Sequence, residues 1–114
     1  MLKMLRVKAD WEGQKNVMDN VMDVDEIIER VEKICRANNV KGLSLFGSFA
    51  KGNAAFTSDI DFVVYGCKNI IKLEQDLEQI ETLRKIDIFD FENIRDEYLL
   101  EDIKKYEKQI YREI

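Results

Sequence analysis

The order in which hydrophobic periods follow one another constrains this chain most. From Val24 to Ile34 the apolar residues Val24, Ile27, Ile28, Val31 and Ile34 recur at three- and four-residue spacing, the period of an amphipathic helix, with Asp23 or Asp25 placed to cap it. Asn38-Asn39 ends that pattern. Val40 to Phe46 then reads as a buried strand stopped by Gly47-Ser48, and Ile60 to Tyr65 as a second strand ended by Gly66. Between them residues 49–58 are small and polar, with Gly52-Asn53 as a turn signal. Ile70 to Leu83 carries a second helical stripe through Ile70, Leu73, Leu77 and Ile80. Lys85 to Phe91 reads as a third strand and Arg95 to about Ile103 as a third helix. The tail from Lys104 to Ile114 is charged, with Ile110 and Tyr111 as docking residues. Helix, strand, loop, strand, helix, strand, helix predicts an α+β (α/β two-layer) domain: one mixed β-sheet with helices packed on one face.

At 114 residues there is room for one domain. Residues 1–22 show no period and read as an N-terminal arm, with the domain proper spanning 23–114. The net charge of −5 speaks against a general nucleic-acid binder, which needs a basic stripe to neutralise phosphates. It leaves a nucleotide ligand open, because a metal ion screens phosphate charge locally. The chain has no histidine, so Ser-His-Asp and Cys-His catalysis and histidine metal sites are excluded. Chemistry must rest on carboxylates, Lys, Arg, Ser, Tyr or a bound metal. Cys35 and Cys67 form no C-x-x-C motif and read as reduced, partly buried thiols of a cytoplasmic protein. No run reaches the length of a membrane span, and no signal peptide is expected.

The chemistry-bearing stretch is Phe46-Gly47-Ser48-Phe49-Ala50-Lys51-Gly52, followed by Ser58-Asp59-Ile60-Asp61-Phe62. A glycine directly after a strand lets backbone approach a ligand closely. A short helix starting at Ser48 or Phe49 points unsatisfied N–H groups at an incoming phosphate, and Lys51, one turn on, adds positive charge. Asp59 and Asp61 are two apart on the expected strand, so both side chains leave the same face. Two such carboxylates repel unless a cation sits between them. Their strand is otherwise apolar, so a Mg²⁺ or Mn²⁺ site explains them better than an idle exposed face. Asp87, between Ile86 and Ile88, is an acid in an apolar strand and completes a cluster if its strand lies beside the Asp59–Asp61 strand. Asp90, three residues on, is expected on the opposite face.

Gly47-Ser48, ten residues, then Asp59-Ile60-Asp61 resembles the signature of the DNA polymerase β-like nucleotidyltransferase superfamily, and the Gly-Ser-Phe-Ala-Lys-Gly run resembles its minimal nucleotidyltransferase branch. The resemblance covers about residues 24–114. Its third carboxylate, on a later strand, matches Asp87. Lys51 stands where the branch commonly has Arg, which keeps the charge and loses the bidentate fork. The resemblance implies attack of a hydroxyl on the α-phosphorus of a nucleoside triphosphate, expected to be ATP, with release of pyrophosphate. Asp59 and Asp61 would hold two metals roughly 4 Å apart, and Asp87 would hold the one nearest the acceptor and help deprotonate it. Gly47, Ser48, Lys51 and Ser58 are the nucleotide-binding candidates. Proteins of this branch are often paired with a HEPN-type helical-bundle partner, as a two-chain enzyme or as antitoxin and toxin. A homo- or hetero-oligomer fits a chain this short. Two functions from different classes follow. One is an enzyme that transfers a nucleoside monophosphate, AMP from ATP, to a hydroxyl of a protein partner or small acceptor. The other is a nucleotide- and metal-binding subunit that acts by docking on a helical partner. The acidic chain, with neither a basic groove nor room for one, speaks against a template-directed polymerase.

Overall fold

The computed structural model describes residues 24–54 and 58–113; the N-terminal arm expected over 1–22 lies outside them. Helix α1 spans Val24–Ala37 and buries Ile27, Val31 and Cys35, the inward stripe of its period. Its outer surface carries Glu26–Arg30 and Glu32–Arg36 pairs one turn apart, at 3.2 and 3.0 Å. Asn39 takes a left-handed conformation (φ 59°), which places Asn39 N–H on the Arg36 carbonyl and Val40 N–H on the Cys35 carbonyl. This paired bond pattern is a Schellman cap, and asparagine is tolerated there in place of glycine.

Strands β1 (Gly42–Phe46), β2 (Ile60–Tyr65), β3 (Ile86–Asp90) and β4 (Lys108–Arg112) form one sheet in the order β3-β2-β1-β4. β1 pairs antiparallel with β2 and β4, and β2 pairs parallel with β3. A parallel pair needs a crossover, and α3 (Ile70–Leu77) supplies it. The order of elements matches the sequence periods, with four differences. The charged tail contains a strand, β4, that the periods do not predict; its Ile110 packs against the core, and its Tyr111 is buried and donates its hydroxyl to the Val40 carbonyl at 2.6 Å. Helix α3 stops at Leu77 rather than Leu83; two turn bonds carry the chain on, Ile80 still reaches the core, and Leu83 is left 85% exposed. Strand β3 ends at Asp90, and Phe91–Asn93 form a turn of 3₁₀ helix. The last helix, α4, spans Glu97–Tyr106, because Asp96 caps it by accepting from Tyr98 and Leu99 N–H.

The sheet is mixed, as expected. Leu43 and Leu45 of β1 and Ile60, Phe62 and Val64 of β2 pack under α1 and α3. The opposite face is covered in part by α4, whose Ile103 is buried with Phe46, Val63 and Tyr65. Packing of helices on one face therefore holds for α1 and α3, and α4 adds a smaller second contact. Among the described residues no helix is long and apolar enough to cross a membrane.

Candidate active site

Strand β1 delivers the chain to Gly47, where the backbone turns sharply. Phe46 is extended (φ −139°), Gly47 has φ +70°, and the five-residue helix α2 (Gly47–Lys51) begins there. A side chain is disfavoured at that φ. A Cβ at Gly47 would also run into Asp61 Oδ2. Glycine is thus demanded twice, once by the turn and once by the carboxylate pressed against it. Ser48 is half-buried in the first turn of α2, and its carbonyl accepts from Gly52 and Asn53 N–H. No side chain caps the start of this helix. Lys51 closes α2, is exposed, and rests its Nζ over the Tyr106 ring of α4 at 4.6 Å from the centroid.

The acids come from the neighbouring strands. Phe46 of β1 is registered with Asp61 of β2, and Asp61 with Asp87 of β3. Residues directly opposite in a sheet share a face, so the two carboxylates stand side by side next to the start of α2. Burial pushes the Asp61 carboxyl up from 3.8 to about 6. The adjacent Asp87, which shares a hydrogen bond with it, and the charge of Asp59 push the same way, while Lys85 opposes them. Lys85 Nζ lies 3.8 Å from Asp87 Oδ1. Asp59 is exposed and sits one residue before β2, so it stands at the mouth of the ladder, outside the paired strand the spacing predicts. Among the described residues no three acids are gathered into a closed ligand set. The oxygen-only donors Asp59, Asp61 and Asp87 are nonetheless the type a hard divalent cation takes. Asp90 faces away from this cluster, as its spacing predicts, and accepts from Asn93 Nδ2 at 2.7 Å.

Ser58 meets the site through its backbone: its carbonyl accepts from Arg84 Nη1 at 2.9 Å. Arg84 itself carries no motif signal and is absent from the residues the sequence points to. Its guanidinium also lies over the Phe49 ring of α2, 5.5 Å from the centroid. Beside β3 a groove of about 480 Å³ has Leu77, Ile80, Ile86 and Ile88 in its walls and reaches both Arg84 and Asp87.

A mixed sheet with paired carboxylates next to a strand–glycine–helix turn defines a nucleotidyltransferase fold. The family model described as "Polymerase beta, Nucleotidyltransferase" matches residues 29–113, and the chain belongs to that family. It is similar to "Putative protein adenylyltransferase MJ1379" of Methanocaldococcus jannaschii, at 32% identity over 95 residues that cover 77% of this chain and 95% of the relative. Among solved structures it resembles a toxin–antitoxin crystallised with AMP-PNP (25% identity, TM-score 0.59, 74% of this chain and 72% of that one). It also resembles a variant of the toxin–antitoxin MntA-HpeT (26% identity, TM-score 0.57, 80% and 73%).

Proposed function

We propose that this chain is a metal-dependent nucleotidyltransferase that moves AMP from ATP onto a hydroxyl of a protein partner, as the antitoxin of a two-chain pair. The observation that carries the reading is the register of Asp61 with Asp87 beside Gly47. It brings two acids from separate strands against the glycine turn that opens α2, where a triphosphate can meet backbone N–H groups and carboxylate-held metal together. The similarity to a relative named "Putative protein adenylyltransferase" and to a toxin–antitoxin crystallised with AMP-PNP supports AMP as the group moved and a protein as its acceptor. A helical bundle of the HEPN type is the partner we infer.

Asp59, Asp61 and Asp87 would hold Mg²⁺ or Mn²⁺. The bound ion would supply charge to the triphosphate and acidity to the acceptor hydroxyl. Backbone N–H groups at Gly47 and Ser48 bind the β- and γ-phosphates, and Lys51 leaves the Tyr106 ring to join them. Asp87, beside Asp61 on the face that meets α2, orients the acceptor hydroxyl and takes its proton on a carboxylate oxygen. What remains for the protein is positioning and charge stabilisation.

The test is transfer of label from α-³²P-ATP, with Mg²⁺, to the candidate helical partner. Label on the partner is expected, together with its loss on chelation and a fall on the order of 10²–10³-fold in Asp59→Ala. Nucleotide binding with no transfer to any offered acceptor would instead identify a binding subunit that works by docking on its partner.

A further inference from the structure

Asp59 belongs to no strand, yet its place is fixed on both sides by one short segment of chain. Behind it, Ile60 N–H donates to the Lys85 carbonyl at 2.9 Å, the first bond of the parallel β2–β3 ladder. Ahead of it, where the ladder has ended, the Arg84 side chain takes over and donates to the Ser58 carbonyl at 2.9 Å. Asp59 is therefore strung between two consecutive residues, Arg84 and Lys85, that lead directly into Asp87. The guanidinium is itself steadied from the third side by the Phe49 ring of α2. A planar cation on an aromatic face is held in orientation, as a lysine would not be.

We propose that Arg84 is a positioning residue for the acidic cluster: it sets the backbone of Asp59 relative to Asp61 and Asp87, and ties both to the glycine helix. The inference rests on the metal-dependent reading above. An exposed aspartate at the end of a strand otherwise samples several backbone and side-chain arrangements, and a cation that needs it must order it on binding. Arg84 does part of that ordering beforehand. Supporting residues of this kind typically change metal affinity or activity by about 10–100-fold when removed.

Mn²⁺ alone is the probe, with free ion counted by electron paramagnetic resonance during titration of the full chain. Arg84→Ala is expected to weaken Mn²⁺ binding about 10-fold, and Arg84→Lys, which keeps one donor for the Ser58 carbonyl, by less than about 3-fold. The decisive measurement is the cycle with Asp59→Asn. If Arg84 acts through Asp59, adding Arg84→Ala to Asp59→Asn changes Mn²⁺ binding little further. Losses that multiply in the double variant overturn the inference, as does an Arg84→Ala protein that binds Mn²⁺ like the wild type. Phe49→Leu removes the ring under the guanidinium and leaves Arg84 in place. It is expected to reproduce a smaller loss of the same kind, and it keeps the proposal open to failure if Arg84→Ala does not fold. If Asp59→Asn itself binds Mn²⁺ as tightly as the wild type, the metal-dependent reading falls first and takes this inference with it. If Asp59→Asn weakens binding and the Arg84 variants do not, that reading stands and only the inference is lost.

Discussion

Strand β2 has two faces that follow opposite rules. One presents Ile60, Phe62 and Val64, all fully buried under α1 and α3. The other presents Asp61, Val63 and Tyr65, where α4 covers the far end and leaves Asp61 half-buried beside Asp87. Because side chains alternate along a strand, one six-residue segment serves both. The buried face gains free energy from every methyl group it removes from water. The acidic face holds like charges together, which costs free energy in the absence of a cation. At the Asp61 end of the strand, stability and chemistry are thus separated by a single residue step, and substitutions at Asp61 and Phe62 should respond to different conditions.

The largest effect should come from the apolar face. Phe62 is wholly inaccessible, and Phe62→Ala is expected to cost about 3–5 kcal/mol through lost transfer energy and the cavity left behind. Against a total of roughly 5–15 kcal/mol for domains of this kind, that threatens folding outright. Urea melts at several pH values would measure it, and the loss should be the same at each. A cost that varied strongly with pH would break the division between faces.

Gly47→Ala probes the join between them. The φ of +70° alone costs a side chain about 1–2 kcal/mol, and the added methyl must also displace the Asp61 carboxylate. Both the urea midpoint and Mn²⁺ binding should fall. A variant destabilised with Mn²⁺ affinity intact would mean that Asp61 has room to move aside without consequence.

Tyr111→Phe tests an element that was hard to read from the amino-acid pattern. Loss of its buried hydrogen bond to the Val40 carbonyl should cost about 1 kcal/mol, with no effect on Mn²⁺ binding. Strand β4 was obscured because only Tyr111 of its five residues is buried and its neighbours are charged. Its strand character comes from the open edge of β1, a tertiary partner that local pattern does not display. The end of α3 was obscured differently: Ile80 keeps the helical stripe while the backbone has already left the helix. By contrast Gly47, Asp61 and Asp87 were legible, because each breaks a local rule. Gly47 stops a strand abruptly, and the two acids interrupt apolar runs. Arg84 breaks none, since an arginine in a polar connection is ordinary, and only the parallel register gives it a role.

The smallest effect has the most unusual sign. The Asp61 carboxyl titrates near 6 in the folded protein, above its ordinary 3.8, chiefly through burial and then through Asp87. Between those values the folded chain binds more protons than the unfolded one, so stability falls as pH rises through that window and stays lower above it. Asp61 is only half-buried, so solvent screening reduces the effect to about 1 kcal/mol or less. Asp61→Asn removes the repulsion, and it should be slightly more stable than the wild type at pH 7.5 and indistinguishable from it near pH 3.5. Saturating Mn²⁺ should reverse the order at pH 7.5, by stabilising the wild type through a site the asparagine weakens. Paired urea melts with and without Mn²⁺ would decide the point. If Asp61→Asn were destabilising at every pH, the carboxylate would be a structural partner of the sheet, and the two faces of β2 would differ in polarity but not in purpose.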